Sequence, residues 1–259
     1  MAKNSDAIPY YRELREALDA PGCALCYLTV GSAVRYIDTL LWQMVNEPDV
    51  RAPLNAARGY CNFHAWMLPR RGGALGVAIL MHGITKTLLD ATDQTPAKNR
   101  SAWDVLRRNV NTLDPAQLAD ALEPQAPCPI CAHIQGMEHD VIVTLLDQLA
   151  DDDALAVQFR ASEGLCLDHF RRALRHAQPR QNTDLLIELQ RAVWQRTYGE
   201  LGEFIRKNDH RFRGETFTPA ETDAWERALA LISGPSSAAG TESQGLTQVL
   251  KRGGVKRET

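Results

Sequence analysis

The stretch Pro21–Leu28, "PGCALCYL", places two cysteines three positions apart, and Ala126–His133, "APCPICAH", repeats that spacing. Two cysteines at this spacing can turn both sulfur atoms toward one point, which supplies half of a tetrahedral zinc site. The chain contains six cysteines, and four of them belong to these two pairs. The spacing therefore predicts two metal sites, each of which needs further ligands.

An internal repeat supplies those ligands. Shifting the sequence by 105 residues places Cys61 on Cys166 and His64 on His169 without a gap, and Gly31 then coincides with Gly136. In each repeat, 34 residues separate the C-x-x-C pair from a C-x-x-H pair. Self-similarity at a fixed period indicates a repeated structural unit. We therefore predict one site of three cysteines and one histidine within each repeat: Cys23, Cys26, Cys61 and His64 in the first, and Cys128, Cys131, Cys166 and His169 in the second.

The periodic signals are almost all helical. Apolar residues recur at helical spacing from Val141 to Leu149, and Thr218, Pro219 and Glu221 form a typical helix start. We predict an all-α protein of two pseudo-equivalent helical repeats. Each has a short first helix, a long helix after the C-x-x-C pair, a helix after the C-x-x-H pair and a further apolar helix. The predicted segments are repeat 1 at 8–92, a polar linker with a short helix at 93–112, repeat 2 at 113–234 and a disordered tail at 235–259.

Composition limits the function classes. The chain has 259 residues and a formal net charge of −3, so it has no general attraction to nucleic acid or anionic membranes. No signal peptide is recognised, and we expect no apolar run near the roughly 18 residues that span a bilayer. These features predict a cytoplasmic protein. In that compartment thiols stay reduced, so paired cysteines indicate metal or redox chemistry before disulfides.

The surroundings of the cysteines favour zinc. Gly59 and Gly164 lie two positions before the first cysteine of each C-x-x-H pair and allow a tight turn, and a helical pattern follows each pair. Three cysteines and a histidine can also hold an iron-sulfur cluster, which stays an alternative. A thioredoxin-like site would need a strand before the C-x-x-C pair, and the sequence shows none. His133 lies two residues after Cys131 and is a further candidate, either as an alternative ligand or as a hydrogen-bond donor to one.

Catalysis is not indicated at either site. Four protein ligands close the shell of zinc, whereas a catalytic zinc keeps one position for water or substrate. The H-x-E motif that accompanies P-C-x-x-C in zinc deaminases is absent from the chain. We therefore favour a non-enzymatic protein and leave enzymatic activity open.

One basic segment offers a different function. Arg206, Lys207, Arg211 and Arg213 lie within eight residues and alternate with Phe204 and Phe212, and the chain ends with the basic sequence "LKRGGVKRET". Basic residues mixed with aromatic ones are typical of sites that bind single-stranded nucleic acid. The simpler interpretation is a helix whose arginines pair with nearby acids.

The duplicated CxxC and GxCxxH pairs, together with "EFIRKNDHRF" and "DAWERALALISG", resemble an uncharacterised bacterial family known only as a domain of unknown function. The resemblance covers roughly residues 8 to 234, and it implies a helical, metal-binding cytoplasmic protein without a transferable activity. We predict a non-enzymatic, zinc-stabilised interaction or scaffold module with two zinc ions and a protein partner, and without a membrane partner. The alternatives are an iron-sulfur or thiol-based redox protein and a nucleic-acid-binding protein that uses Arg206–Arg213 and the basic tail.

Overall fold

The structure is a computed structural model, and it describes residues 8–95, 114–178, 183–212 and 214–235. These residues form helices and turns without a strand, which confirms the predicted all-α class. The predicted tail from residue 236 and the predicted linker from residue 96, with its short helix, lie outside the described residues. The α-helices are α1 (Tyr11–Leu18), α2 (Ala24–Thr39), α3 (Pro48–Ala56), α4 (Asn62–Ala65), α5 (Ala74–Gln94), α6 (Pro115–Leu122), α7 (Pro129–Asp151), α8 (Asp153–Ala161), α9 (Leu167–His176), α10 (Thr183–Lys207), α11 (Pro219–Thr222) and α12 (Ala224–Ser233).

Polar caps fix several helix starts. The side chain of Asp152 accepts a hydrogen bond from the backbone N–H of Ala154 at the start of α8. Thr218 and Glu221 form a complete capping box at the start of α11. Such caps satisfy backbone donors that have no partner inside the helix, and each contributes about 1 kcal/mol. The sequence signal for the start of α11 therefore corresponds to a real helix boundary.

Helix starts recur along the chain at the period of the sequence repeat. The first residues of α2 and α7, of α3 and α8, and of α4 and α9 each differ by 105 positions. The shared order shows that similar sequences form similar local structure in both halves. The equivalence of the two repeats in three dimensions stays a prediction.

Two compact units divide the chain, and they do not coincide with the sequence repeats at 8–92 and 113–234. The central unit is Ala33–His133, and the terminal unit contains the chain up to Ser32 and from Ile134 onward. Both boundaries fall inside long helices, because Ser32 and Ala33 belong to α2 while His133 and Ile134 belong to α7. Each unit is therefore assembled from parts of both repeats.

The terminal unit has a continuous apolar core. Phe159 of α8, Leu145 of α7 and Leu14 of α1 are fully buried there, and burying each such side chain contributes about 1.5 to 3 kcal/mol. The core also contains one buried amide, Gln190 of α10. It accepts a hydrogen bond from the Leu165 N–H and donates one to the Leu165 carbonyl, at 2.9 and 3.0 Å. This pair of bonds holds the backbone directly before Cys166 against α10.

The central unit is built around α5, which contacts α3, α6 and the π-helical turn Leu40–Met44. Leu54 of α3 and Leu80 and Ile84 of α5 are buried in it. Gly76 lets α5 approach that turn closely, since a Cβ atom there would lie 2.9 Å from the Leu41 carbonyl oxygen.

One described helix is long and apolar enough to cross a membrane by length and composition, and it is α5. An 18-residue window of α5 has a mean hydropathy of 1.3, and 17% of that window is buried. The expectation that no apolar run approaches this length was therefore wrong. It overlooked α5 because Lys86 and Asp90 interrupt the apolar residues, and these two side chains form an ion pair with each other at 2.8 Å.

Candidate metal sites

Four predicted ligands converge in the terminal unit, and we call this set the terminal site. The Nδ1 atom of His169 lies 3.1 Å from Cys26 Sγ, 3.3 Å from Cys166 Sγ and 3.5 Å from Cys23 Sγ. The sulfur atoms of Cys26 and Cys166 are 3.6 Å apart. All four donor atoms lie within 4.8 Å of one another.

The other four predicted ligands converge in the central unit, as the central site. Here the Nδ1 atom of His64 lies 3.3 Å from both Cys61 Sγ and Cys131 Sγ, and 3.7 Å from Cys128 Sγ. The sulfur atoms of Cys61 and Cys131 are 3.7 Å apart. These donor atoms also lie within 4.8 Å of one another.

The prediction that each repeat contains a complete site is wrong. Each C-x-x-C pair meets the C-x-x-H pair of the other repeat, so the sites are exchanged between the repeats. The long helices explain the exchange. At a rise of about 1.5 Å per residue, α2 alone carries the chain some 24 Å from its first residue, and the π-helical turn extends it further, whereas α3 spans only about 13 Å. The spacing of 34 residues fixes the distance along the sequence but not the direction of the chain.

The backbone conformation before α4 and α9 orients the C-x-x-H side chains toward each site. Cys61 and Cys166 are the N-cap residues of α4 and α9, with extended backbone dihedrals. Gly59 and Gly164 precede them with φ of 115° and 68°, in the region that favours glycine. The sulfur atoms thus lie at helix N-termini, where the helix dipole favours thiolate over thiol.

The donor spacing fits a single tetrahedral ion. With zinc-sulfur distances of about 2.3 Å, tetrahedral geometry places two sulfur ligands about 3.8 Å apart. The observed sulfur-sulfur separations are 3.6 and 3.7 Å. All six cysteines are free thiols rather than disulfides. Both clusters could therefore hold a metal ion, with His64 and His169 binding through Nδ1.

Protonation in the terminal site shows why an ion would be favourable. Hydrogen bonds from Cys23 and Cys26 hold the pKa of the Cys166 thiol far below its usual range. The hydrogen bond to Cys166 in turn raises the pKa of Cys26 far above it. Burial would lower the pKa of His169, but hydrogen bonds to Cys166 and Cys23 raise it to about 10. Without a cation, the three thiols therefore cannot all be ionised at once, because the negative thiolates repel one another. A divalent ion would relieve this repulsion.

The central site shows the same conflict. Burial opposes ionisation of Cys128, but hydrogen bonds from His64 and from backbone amides lower its pKa to about 6. Burial and the negative charge of Cys128 raise the pKa of Cys131 to about 12. One thiolate thus forms readily in this cluster, and the next one forms only when a cation compensates its charge.

A carboxylate supports the histidine of the terminal site. Glu138 of α7 is 7% exposed, and its Oε1 atom lies 3.5 Å from His169 Nε2, on the opposite side of the ring from the sulfur atoms. Arg172 donates to both oxygens of Glu138 at 3.1 Å and to Asp168 at 2.9 Å. Metal-bound histidines typically donate their second N–H to such a group, which fixes the ring orientation. The sequence repeat gave no signal for Glu138, because Ala33 stands 105 residues before it.

Aromatic side chains surround the central site. Tyr36 stacks on His133 with ring centroids 4.4 Å apart, so His133 is engaged with a ring and lies outside the set of four ligands. Phe63 contacts His64 edge to face at 5.3 Å. His133 is therefore not an alternative ligand in this arrangement.

The whole chain was compared with families of known proteins. Residues 4–239 match a family described as a family of unknown function, DUF6062. The chain belongs to DUF6062. This membership confirms the resemblance inferred from the sequence motifs. No curated protein and no solved structure matches this DUF6062 chain.

The basic segment of this DUF6062 chain is largely neutralised by acidic side chains. Arg206 pairs with Glu203 and Glu215, and its guanidinium lies 4.7 Å from the ring centroid of Phe212. Two more ion pairs follow in the segment, between Lys207 and Glu221 and between Arg211 and Asp209. Arg213 and the basic tail lie outside the described residues. The acids that the sequence shows nearby thus become direct partners of three of the four basic residues.

Proposed function

We propose that the protein is a non-enzymatic helical protein whose fold is fixed by two structural zinc ions, and that it acts as an interaction or scaffold module. The observation that carries this proposal is the convergence of four protein donors at each site. Four protein ligands leave zinc no position for water or substrate. Zinc binding would then contribute directly to the free energy of folding.

The donor spacing supports zinc over an iron-sulfur cluster. In a cluster, the protein ligands bind different iron atoms, and the cluster itself separates them. Here all four donors of each site lie within 4.8 Å of one another, which suits one ion. Three thiolates and one imidazole are ordinary ligands of structural zinc. The iron-sulfur protein therefore remains the less favoured alternative.

An apolar stripe on α12 supports the interaction role. Trp225, Leu229 and Ile232 are 47%, 59% and 57% exposed and follow the spacing i, i+4, i+7, so they share one face of the helix. The opposite face, with Ala224 and Leu231, is buried. Exposed apolar stripes of this kind are typical of helices that bind another protein.

A photo-crosslinker at position 229 should capture one defined protein, while the same crosslinker at Glu226 on the polar face should not. Equal capture from both positions would contradict the interaction role.

Nucleic-acid binding is a weaker proposal. Three basic residues of the candidate segment already pair with carboxylates, which reduces the positive potential available to phosphates. The expected cytoplasmic location stays part of the proposal, since it is the compartment where free thiols stay available to bind metal.

Elemental analysis and chelation test the structural zinc. Protein purified anaerobically should be colourless and contain about two zinc ions per chain. A strong chelator should then lower the melting temperature and the helical circular dichroism together, because the metal connects the helix starts at each site. Re-addition of zinc should restore both properties.

A brown protein that contains iron and sulfide would instead support the iron-sulfur alternative. Zinc removal without any change in melting temperature would contradict the structural role.

A further inference from the structure

The two sites differ in how far solvent reaches their sulfur atoms. In the terminal site, Cys23, Cys26 and Cys166 are only 7%, 8% and 2% exposed. In the central site, the three cysteines are all partly exposed, and only the histidine is buried. The central cysteines are therefore more accessible to a dissolved reagent than the terminal ones.

The last described helix contributes to this difference. Gly234 follows α12 with φ of 78°, and its backbone lies directly against the terminal site. A Cβ atom placed on Gly234 would be 3.9 Å from Cys26 Sγ and 4.0 Å from Cys166 Sγ. The end of α12 therefore covers two of the three sulfur atoms of the terminal site.

Support for the histidine differs as well. Glu138 lies beside the outer nitrogen of His169, and Arg172 holds Glu138 in place. At the position 105 residues earlier stands Ala33, whose side chain has no hydrogen-bond acceptor. Partners of this kind typically strengthen metal binding by a factor of about 10 to 100. The terminal site should therefore hold its ion more tightly than the central site.

We propose that the central site is a site of oxidative modification, at which peroxide converts Cys61 and Cys131 into a disulfide and releases the zinc ion, while the terminal site keeps its ion. The assignment to this pair follows from the 3.7 Å separation of the two sulfur atoms, both of which are partly exposed. The proposal rests on the proposed zinc binding. The terminal zinc would preserve the terminal unit while the central unit changes.

The reaction consumes one molecule of hydrogen peroxide and two protons. The thiolate of one cysteine attacks a peroxide oxygen, the O–O bond breaks, and a sulfenic acid and a hydroxide ion form. The thiolate of the second cysteine attacks the sulfenic sulfur, the S–S bond forms and a second hydroxide leaves. Two protons convert the hydroxide ions into water. The two sulfur atoms are oxidised, peroxide is reduced, and the zinc ion leaves because only Cys128 and His64 remain to bind it.

The test treats the full-length, zinc-loaded protein with hydrogen peroxide. Released zinc is measured with a chromogenic chelator, and the remaining thiols are alkylated and mapped by mass spectrometry. The expected result is the release of one zinc ion per chain, a Cys61–Cys131 disulfide and unmodified Cys23, Cys26 and Cys166. Oxidation of the central cysteines should be at least about tenfold faster than that of the terminal ones. Reduction with a thiol and addition of zinc should restore the starting protein.

Several results would overturn the proposal. Simultaneous loss of both zinc ions, a disulfide between terminal cysteines, or a Cys128–Cys131 disulfide would each contradict it. C61S should abolish the disulfide at the central site. The matched control C166S, in the terminal site, should still form the Cys61–Cys131 disulfide. If neither variant folds, disulfide mapping of the unaltered protein still decides the question. Protein that contains no zinc before treatment would instead refute the proposed function, so the two failures are distinguishable.

Discussion

Glu138 tests the difference between the sites at the level of one residue. Replacing Glu138 with glutamine removes the charge beside His169 Nε2 but preserves the size of the side chain. We expect E138Q to weaken zinc binding at the terminal site about 10- to 100-fold, because the imidazole loses the group that orients it. Competition with a chelator of known affinity measures the change. The matched control is D168N, because Asp168 also pairs with Arg172 but is not paired with the histidine. Equal effects of the two substitutions would show that Arg172, rather than the contact with His169, is responsible.

The sequence predicted the eight residues that converge in the two clusters, and it missed Glu138 for a physical reason. Cysteine and histidine ligands of structural zinc sites recur at narrow spacings, so the repeat marks them clearly. A supporting carboxylate can come from any helix that passes the ring, and only the packing of α7 against α9 identifies Glu138. The same limit applies to His133, whose ring stacks on Tyr36 although it lies only two residues from a ligand.

At the level of elements, replacing glycine with alanine should have opposite effects at two positions, Gly136 within α7 and Gly164 in the turn before α9. G164A forces alanine into a backbone with φ of 68° and brings its Cβ to 2.9 Å from the Oε1 atom of Gln190. We expect it to destabilise the protein by about 1 to 3 kcal/mol, since Gln190 also binds Leu165. G136A, within α7, has open space around it and should stabilise the protein by about 0.5 to 1 kcal/mol. Urea unfolding of both variants measures the difference, and a neutral G164A would contradict the role of the turn.

The all-α class and several helix boundaries were predictable from the sequence, whereas the helices α3 and α8 and the pairing of the elements were not. Local signals such as the Thr218 cap, the glycine turns and the helical periodicity depend on neighbouring residues, and they gave the correct class. The exchange of ligand pairs depends on the length of α2 and α7 relative to the short helices that follow them. Sites formed within one repeat and sites exchanged between the repeats both satisfy the same ligand spacing, so the sequence pattern alone could not distinguish them.

At the level of the whole molecule, acid should remove zinc and unfold the protein in one process. Protons compete with zinc for thiolates, so affinity falls as the pH falls. At pH 7, binding at the central site displaces the proton of Cys131, whose pKa is raised to about 12, but not that of Cys128, whose pKa is lowered to about 6. Below about pH 6, Cys128 is protonated before zinc binds and must also lose its proton. The zinc affinity should then fall by an additional factor of about ten for each pH unit. Zinc release and helical circular dichroism, followed together from pH 7.5 to 4.5, measure this.

Cadmium-loaded protein provides the control for acid unfolding, because thiolates bind this softer ion more tightly and both changes should move to lower pH. If helicity is lost at the same pH with either metal, protonation of other groups unfolds the protein and metal loss follows. If zinc leaves while helicity is unchanged, the ions do not fix the helix starts. The structural role requires that metal release and unfolding shift to lower pH together when cadmium replaces zinc. Only then does metal binding supply the free energy of folding that acid removes.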